Sequence, residues 1–375
     1  MEFIINREYF TKAISDVMKA VSSKTTFPIL TGIKLIAETD RIILIGSNAD
    51  ITIKRTIPQI SDNQKIFEVL KAGSVVVSAK IMSEISKKLP GDIHLSLNHD
   101  QTVTLQSEEI KTKLTIFNGE DYPTIPEVTK TKSVTIKSDI LLEMIKQTAF
   151  ASSKNESRPV LTGVNFSFQE NVLTCVATNS HRLAMKTYKV NSGLTGSFIV
   201  PSSTLLELTK LFGNQPTDIE IYASDTIILF TSQNLSLYSR LIEGVYPNVS
   251  GLIPEETTTI VTVNTRELLS GMNRASLFAS EWKNNNIHLQ IHDGSKIKMS
   301  SKSSEMGQIE ETQGIKRITG DTELHITIDG NFMMDALKVI QEDEVKLCFN
   351  GTMRPILVLP VGNDSQLQLI SPVRS

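Results

Sequence analysis

The sequence contains an internal repeat, which limits the fold to architectures built from similar units. The run PILTGI at Pro28–Ile33 returns as PVLTGV at Pro159–Val164, an offset of 131, and the same offset carries Asn48 onto Asn179. One short match can arise by chance, but several matches at near-equal offsets in a chain of 375 residues predict three units of about 125 residues. The two further matches, at offsets of 124 and 128, are Tyr122–Pro123 with Tyr246–Pro247 and Phe150–Ser152 with Phe278–Ser280.

Each unit is predicted to contain two short amphipathic helices. In the first unit, Phe10, Ala13, Ile14 and Val17 are three and four residues apart, as on one face of an α-helix. The opposite face of this helix would carry polar residues, Lys12 among them. The corresponding stretches elsewhere predict helices at Ile81–Leu89, Ser138–Ser152, Ser203–Phe212, Asn264–Ser280 and Asn331–Ile340.

Between the helices lie β-rich runs bounded by turn residues. Many are separated by only a few residues, as in hairpins, and the helices are too few for alternating βαβ units. The predicted class is therefore α+β, with three similar domains, each with two helices and antiparallel sheets, at 1–127, 128–253 and 254–375. The predicted strands are Lys34–Ala37, Ile42–Gly46, Ser74–Ser78, Thr102–Leu105, Val172–Ala177, Thr226–Thr231, Ile260–Val263, Val345–Phe349 and Ile356–Leu359.

The charge balance excludes a protein that coats nucleic acid through uniform basicity. Lys and Arg number 38 and Asp and Glu 41, a formal net charge of −3. Any contact with DNA must therefore come from positive charge segregated onto one face. There is no apolar run of the roughly 18 residues that a membrane span needs and no signal-peptide pattern at the start. Two distant cysteines suit a reducing cytoplasm, so we expect a cytoplasmic protein with no membrane partner.

The sequence carries no phosphate loop, nucleophile elbow or zinc-protease motif. His288 and His292 lie in an alternating run that is typical of a strand, where they would be about 13 Å apart, so solvated strand residues are favoured over a metal site. Cys175 lies in an apolar run and is interpreted as a buried strand cysteine. Glu310 and Glu311 would face opposite sides of a strand and are interpreted as solvated acids. We therefore expect no enzymatic activity, no metal and no cofactor.

One polar segment, ATNSHRLA at Ala177–Ala184, interrupts an apolar region. A turn in which His181 and Arg182 cap exposed carbonyls would explain it equally well. Together with three other motifs, however, it resembles the bacterial sliding clamps, the beta subunits of DNA polymerase III, and the resemblance covers the whole chain in order. The other motifs are Pro159–Gly163, Arg240–Pro247 and Pro372–Ser375.

The resemblance implies a head-to-tail homodimer that forms a ring of six domains, encircles duplex DNA without reading its sequence, and tethers the replicative polymerase. This role is that of a processivity factor and is not catalytic. The alternative is a β-rich repeat enzyme or a small-ligand-binding protein that shares the repeat. A ring lined by positive helices and a mass twice that of the chain would distinguish the two.

The helix count is consistent with such a ring. Two helices in each of three units give six per chain and twelve per dimer. Placed side by side at ~10 Å, twelve helices form a circle ~38 Å across and leave a hole of ~28 Å, enough for a duplex of roughly 20 Å. One chain alone would leave only ~9 Å. If the helices line the hole, the ring must be a dimer.

The DNA-facing surface is expected on the polar sides of these helices and in nearby turns. Sliding requires diffuse attraction to phosphates without base readout, which the flexible ammonium of lysine supplies. For any single residue, an ordinary solvated helix face is an equally good interpretation. The resemblance adds Lys24 and Asn155 as positions where the family touches DNA. The other candidates are Lys12, Lys19, Lys80, Lys87, Lys88, Lys146, Lys210, Arg266, Arg274 and Lys338.

The resemblance also implies a slot between the second and third domains for a short peptide with Gln, Leu and Phe anchors. Such peptides would belong to the polymerase alpha subunit, the clamp loader and repair proteins. Aliphatic, Pro and Met side chains would hold the apolar anchors. Thr178, Ser180, His181 and Arg182 would hold the Gln amide. The remaining candidates are Arg158, Leu161, Leu183, Pro247, Leu252, Met353, Arg354, Pro355, Leu369, Ile370, Ser371, Pro372, Val373 and Arg374. Val373 and Pro372 are predicted to form one wall, opposite Leu161, Leu183, Pro247 and Leu252.

The dimer contact is predicted between the first domain of one chain and the third domain of the other. Leu277, Phe278 and Leu114 would supply the apolar contact, because the resemblance places the first two at the subunit boundary. Lys111 and Lys113 would face acidic residues of the partner. These acids are Glu305, Glu310 and Glu311.

Overall fold

The structure is a computed structural model of the 375-residue chain and describes residues 1–22, 25–61, 63–213, 216–279 and 285–373. Each of the six predicted helices has a counterpart in it. The predicted stretch Ser138–Ser152 ends as a 3-10 turn at Ala149–Ala151. The predicted end at Ser280 lies outside the described residues. The helices are α1 Arg7–Val17, α2 Ala79–Lys88, α3 Ser138–Thr148, α4 Ser202–Phe212, α5 Thr265–Ala279 and α6 Gly330–Lys338.

The strands include all nine predicted runs. The first fourteen are β1 Glu2–Ile5, β2 Gly32–Ala37, β3 Arg41–Ser47, β4 Ile51–Pro58, β5 Ile60–Ser61, β6 Gln64–Lys65, β7 Phe67–Lys71, β8 Gly73–Ser78, β9 Ile93–Leu97, β10 Thr102–Ser107, β11 Ile110–Phe117, β12 Val134–Lys137, β13 Gly163–Gln169 and β14 Val172–Thr178. The remainder are β15 Arg182–Lys189, β16 Gly196–Pro201, β17 Asp218–Ala223, β18 Ile227–Ser232, β19 Leu235–Arg240, β20 Thr259–Asn264, β21 Asn286–His292, β22 Lys296–Ser303, β23 Gly307–Gly314, β24 Arg317–Thr319, β25 Leu324–Asp329, β26 Glu344–Phe349, β27 Ile356–Pro360 and β28 Gln366–Ile370.

The chain forms two compact units. Unit 1 comprises Met1–Asp139 with Leu206–Leu241, and unit 2 comprises Ile140–Leu205 with Ile242–Ser375. The middle third of the chain therefore contributes to both units. The predicted class, α+β with antiparallel sheets, is confirmed.

Unit 1 contains a 13-stranded sheet in the order β12-β17-β18-β19-β4-β3-β2-β8-β11-β10-β9-β1-β7 and the small pair β5-β6. The pairing of β19 with β4 joins strands from the middle and first thirds of the chain, for example Leu237 opposite Ile53. Helix α1 buries Phe10, Ala13, Ile14 and Val17, the face that the sequence predicted. It packs closely on β3, because a Cβ on Gly46 would lie 2.1 Å from the carbonyl oxygen of Val17.

Unit 2 contains a nine-stranded sheet in the order β16-β13-β14-β15-β28-β27-β26-β20-β24 and a four-stranded sheet in the order β23-β22-β21-β25. The pairing of β15 with β28 joins the middle and last thirds of the chain, with Leu183 opposite Leu369. These two leucines belong to a core cluster against which Tyr246 packs. The predicted site segments at 177–184 and 369–373 are therefore held side by side by one sheet.

Candidate functional site

The polar segment at 178–182 is the tight turn between β14 and β15. Asn179 Oδ1 accepts hydrogen bonds from the backbone N–H groups of His181 and Arg182, both at 3.0 Å. Thr178 Oγ1 donates to the Arg182 carbonyl at 2.6 Å, and Ser180 has the left-handed φ of 76°. The turn is thus capped by Thr178 and Asn179, which leaves the exposed His181 side chain available at its tip.

The Arg182 side chain is fixed by partners within unit 2. Its Nη1 bonds Asp335 Oδ2 at 2.7 Å, and its Nη2 donates to the Phe150 carbonyl. The guanidinium lies between two aromatic rings, 5.2 Å from the centroid of Phe150 and 4.6 Å from that of Phe332, and the side chain is 10% exposed. The sequence-based hypothesis gave Arg182 the task of holding a peptide amide. Its hydrogen bonds join the 3-10 turn after α3 to α6, so it positions the walls of the site.

Arg182→Met should therefore destabilise unit 2. The substitution leaves Asp335 and the Phe150 carbonyl without their donor and should lower the free energy of unfolding by about 2 kcal/mol. Urea unfolding followed by circular dichroism measures this loss. Arg158→Met is the matched control, because Arg158 is exposed and has no ion pair among the described residues. Equal urea midpoints for the two variants would refute the positioning role.

Two cavities open beside the turn, and His181 and Phe332 line both. Cavity A, of about 820 Å³, is lined by Ser152, Ser153, Lys154, Asn155, Ser157, Arg158, Leu161, Asn179, Ser180, His181, Arg182, Asn331, Phe332 and Asp335. Cavity B, of about 490 Å³, is lined by His181, Asp329, Phe332, Met353, Pro355, Ser371, Pro372 and Val373. Both volumes fall in the range of ordinary ligand sites.

The C-terminal segment is ordered along the edge of β25. Strand β28 ends at Ile370, but the Ser371 N–H donates to the His181 carbonyl at 2.9 Å and the Val373 N–H to the Thr327 carbonyl at 2.8 Å. Pro372 forms a bridge with Ile328. The segment continues past its strand into the wall of cavity B, so it is not an idle tail.

The predicted slot residues separate into three groups. Thr178, Leu183, Leu369 and Ile370 are buried, with Leu183 and Leu369 in one core cluster and Ile370 in another, because neighbouring residues of β28 face opposite sides of the sheet. Leu161 lines cavity A and Val373 lines cavity B, and these two cavities share His181 and Phe332. Arg374 lies outside the described residues. Three further residues are exposed and line neither cavity: Pro247, Leu252 and Arg354.

Several lining residues were missed. Phe332 lies on α6 and was not among the predicted slot residues. Asp329 caps the same helix, its carboxylate accepting from the Asn331 N–H at 2.8 Å. Burial raises the pKa of the Asp329 carboxyl, and the backbone N–H groups of Asn331 and Phe332 oppose that shift. The N-cap pattern of an Asp before a helix was the signal that could have found it.

The helix face of unit 1 has a cavity of its own. Cavity C, of about 480 Å³, joins α1 to α2. Lys12 and Lys87 are exposed there and have no ion pair among the described residues. Asp16 lies 3.4 Å from Lys19 Nζ and 3.8 Å from Arg55 Nε, so the charge of Lys19 is partly neutralised. The cavity is lined by Arg7, Glu8, Thr11, Lys12, Ser15, Asp16, Lys19 and Lys87.

The other candidate cations differ in how far they are paired. Arg274 binds both oxygens of Glu311 at 2.6 Å, and this pairing lowers the pKa of the Glu311 carboxyl. Lys210 pairs with Glu207 at 2.7 Å, and Lys338 lies 3.8 Å from Asp335. Lys24 lies outside the described residues. The exposed candidates with no ion pair in the described ranges are Lys80, Lys88, Lys146 and Arg266, and the uncharged candidate Asn155 is exposed in the lining of cavity A.

The predicted dimer residues lie on the part of β11 that pairs with β10 alone, on or just before the edge strand β23, and at the end of α5. Strand β11 of unit 1 carries Lys111, Lys113 and the half-buried Leu114, and it pairs with β8 only at Ile116 and Phe117. In unit 2, within the described ranges, β23 pairs only with β22. At the end of α5, Leu277 is 64% exposed and Phe278 is half-buried.

The acids of β23 are not simply solvated. Glu310 and Glu311 face opposite sides, as predicted, but Glu310 pairs with Lys298 at 2.8 Å and Glu311 with Arg274. Lys113 lies 3.7 Å from Asp100, and Glu305 is exposed in the turn before β23. Three of the charged residues assigned to the interface, Lys113, Glu310 and Glu311, therefore already have ion-pair partners within the single chain. Lys111 and Glu305 have none among the described residues.

Cys175, His288 and His292 lie on strands, as the sequence predicted. Cys175 is fully buried in β14, and burial raises the pKa of its thiol. His288 and His292 lie on β21, with His288 Nδ1 2.8 Å from Thr327 Oγ1. The described residues contain no group of three or more His, Cys, Asp or Glu side chains that could hold a metal ion.

Comparisons with known proteins cover the whole chain. Three family models match in order: DNA polymerase III beta subunit, N-terminal domain, at residues 1–126, its central domain at 135–248 and its C-terminal domain at 250–374. The chain is 36% identical over 378 residues to a beta sliding clamp of Bacillus subtilis and 39% identical over 377 residues to one of Staphylococcus aureus, with each chain covered in full.

Solved structures give the same result. The crystal structure of the DNA polymerase sliding clamp from Bacillus subtilis superposes with a TM-score of 0.97 at 36% identity, covering 100% of this chain and 99% of the other. A DNA polymerase III beta chain from Streptococcus pneumoniae superposes with a TM-score of 0.95 at 32% identity, with both chains covered in full. Among the described helices, none is long and apolar enough to cross a membrane.

Proposed function

The chain belongs to the family of DNA polymerase III beta subunits, the beta sliding clamps, and from this premise we propose that two copies close around duplex DNA and hold partner proteins at cavities A and B. Membership makes the chain a processivity factor of DNA replication, a non-catalytic accessory subunit of a DNA polymerase built from three clamp domains. We place the domain boundaries near residues 127 and 253. Two free cysteines suit a reducing compartment, and we place the protein in the cytoplasm.

The main support for the proposed DNA contact is the lining of cavity C. It brings the polar faces of α1 and α2 onto one surface, and its exposed Lys12 and Lys87 carry no internal counter-ion among the described residues. Such lysines attract phosphates from a distance without reading bases, which is what a sliding protein needs. Arg274 contributes less, because Glu311 already neutralises its guanidinium.

Lys12→Glu with Lys87→Glu should weaken duplex binding in a salt-dependent way. Because each ring contains two copies, the variant removes four lysines, and loss of up to four phosphate contacts should make the negative slope of log affinity against log salt shallower by up to about 4. Fluorescence anisotropy with a short linear duplex at several salt concentrations measures the slope. Lys71→Glu with Lys132→Glu is the matched control, since both lysines are exposed outside the helices and the charge change is the same. A helix variant with the slope of the control would argue against this surface.

The two free strand edges support the ring. Strand β11 lies in unit 1 and β23 in unit 2, so one chain offers two different edges that a second copy can pair with head to tail. A contact between unlike surfaces closes into a ring when the rotation permits. We assign Leu277 and Phe278 of one copy and Leu114 of the other to the apolar part of this contact.

The shape of cavity B supports a peptide site. Met353, Pro355, Pro372 and Val373 give it apolar walls, and His181 lines both this cavity and cavity A. We assign the Leu and Phe anchors of a partner peptide to cavity B and the Gln side to His181 and Ser180. The partners would be the polymerase alpha subunit, the clamp loader and repair proteins that share such a peptide.

A further inference from the structure

Unit 2 contains a cavity that neither the partner site nor the helix faces use. Cavity D, of about 530 Å³, lies between α3 and β15. Ile140, Met144 and Val172 supply an apolar wall, while Glu143 and Lys186 bring two charged groups to the same space.

The side chain of Lys186 is mostly buried, and its ion pair with Glu143 is long. Its side chain is 8% exposed, and its Nζ lies 3.6 Å from Glu143 Oε1, which is beyond hydrogen-bond distance. That oxygen instead accepts from Gln147 Nε2 at 2.9 Å. An ammonium has three donors, and among the described residues none of those of Lys186 reaches an acceptor within 3.5 Å. A buried ammonium in this state favours an anionic acceptor beside it.

The surroundings of the pair are also incompletely satisfied. Gln366 lies opposite Lys186 on the neighbouring strand, and its amide oxygen is buried without a donor. The same holds for the amide oxygen of Gln147. Both amide nitrogens lie near the Val339 carbonyl, at 3.3 Å and 3.5 Å, so the amide groups are held in place. Neither glutamine lines cavity D, where the charged groups are Glu143, Lys186 and Lys189 beside the apolar wall.

We propose that cavity D binds a small organic carboxylate, with the carboxylate on the Lys186 ammonium and an apolar body against Ile140, Met144 and Val172. A charged acceptor forms the strong, short bonds that this ammonium lacks. Lys189, also at the cavity, adds a second positive charge, so the site carries more positive than negative charge despite Glu143. The volume lies in the range of small-molecule sites.

The test compares head groups on one apolar body. Octanoate, octanamide and octylamine are titrated into the intact protein with methyl-labelled methionine, and the Met144 methyl signal is followed by NMR. Octanoate should shift this signal saturably, whereas octanamide and octylamine should bind at least about tenfold more weakly. Lys186→Met should lower the affinity for octanoate by a similar factor. Lys296→Met, at an exposed lysine of β22 outside the cavity, should leave the octanoate affinity unchanged.

Equal affinity for octanoate and octanamide would overturn the proposal, as would the absence of saturable binding or an unchanged octanoate affinity in Lys186→Met. If Lys186→Met fails to fold, the head-group series on the unaltered protein still decides. None of these outcomes depends on DNA binding or on the ring.

Discussion

Leu277→Asp with Phe278→Asp should convert the dimer into monomers. Leu277 is 64% exposed in the single chain, at the end of a helix that packs on the free edge strand β23. Two carboxylates in an apolar contact would be desolvated without partners, and such a loss is large compared with the stability of an ordinary interface. Sedimentation velocity at micromolar concentration should show a single species with the mass of one chain.

Ile60→Asp is the control for this experiment. Ile60 is as exposed as Leu277 but lies in the small β5-β6 pair, outside both edge strands, so the variant should remain a dimer. If the double variant still sediments as a dimer, the assignment of this helix end to the interface is wrong.

Deletion of Pro372–Ser375 should abolish most of the affinity for a Gln-Leu-x-Leu-Phe peptide. Pro372 and Val373 form a wall of cavity B, and loss of a desolvated wall costs at least ~2 kcal/mol, about 30-fold in affinity. The deletion removes a backbone bond to Thr327 but no fully buried side chain of the described residues, so folding and dimerisation should survive. Anisotropy with a labelled peptide measures the affinity.

A matched pair of valines separates the wall from the backbone contact. Val373→Ser keeps the backbone hydrogen bond to Thr327. It should lower the affinity for the peptide, but less than the deletion does. Val245→Ser alters a valine that is 90% exposed and lines neither cavity, so it should have no effect. Unchanged peptide affinity in the truncated, still dimeric protein would rule out this placement.

The helices and strands could be predicted from sequence because each has a characteristic local spacing of apolar residues. The face of α1 at Phe10, Ala13, Ile14 and Val17 is buried as its spacing requires, and the alternation around His288 gives the strand β21. The repeat predicted similar units with two helices each. It could not show that β19 pairs with β4 or β15 with β28, since pairing between distant strands leaves no local pattern.

The site was harder to predict because its contacts join distant residues. Nothing in the neighbourhood of Arg182 indicates that its partner is Asp335, 153 residues away. The pairing of Arg274 with Glu311 likewise neutralises a candidate for DNA binding and a candidate for the interface at once. The resemblance supplied a set of slot residues but did not separate Leu183, which is in the core, from Val373, which lines the cavity. Phe332 was missed because helical spacing does not distinguish a cavity wall from a core residue.

Retention on circular DNA tests the central claim most directly. The protein is loaded by a bacterial clamp loader onto a nicked circular duplex, free protein is removed at high salt, and the bound fraction is followed before and after a restriction enzyme cuts the circle. A closed ring is held by topology, so the protein should stay on the circle and leave rapidly once the DNA has ends. Equal loss from the circle and from the cut DNA, or equal retention on both, would contradict a ring that encircles the duplex.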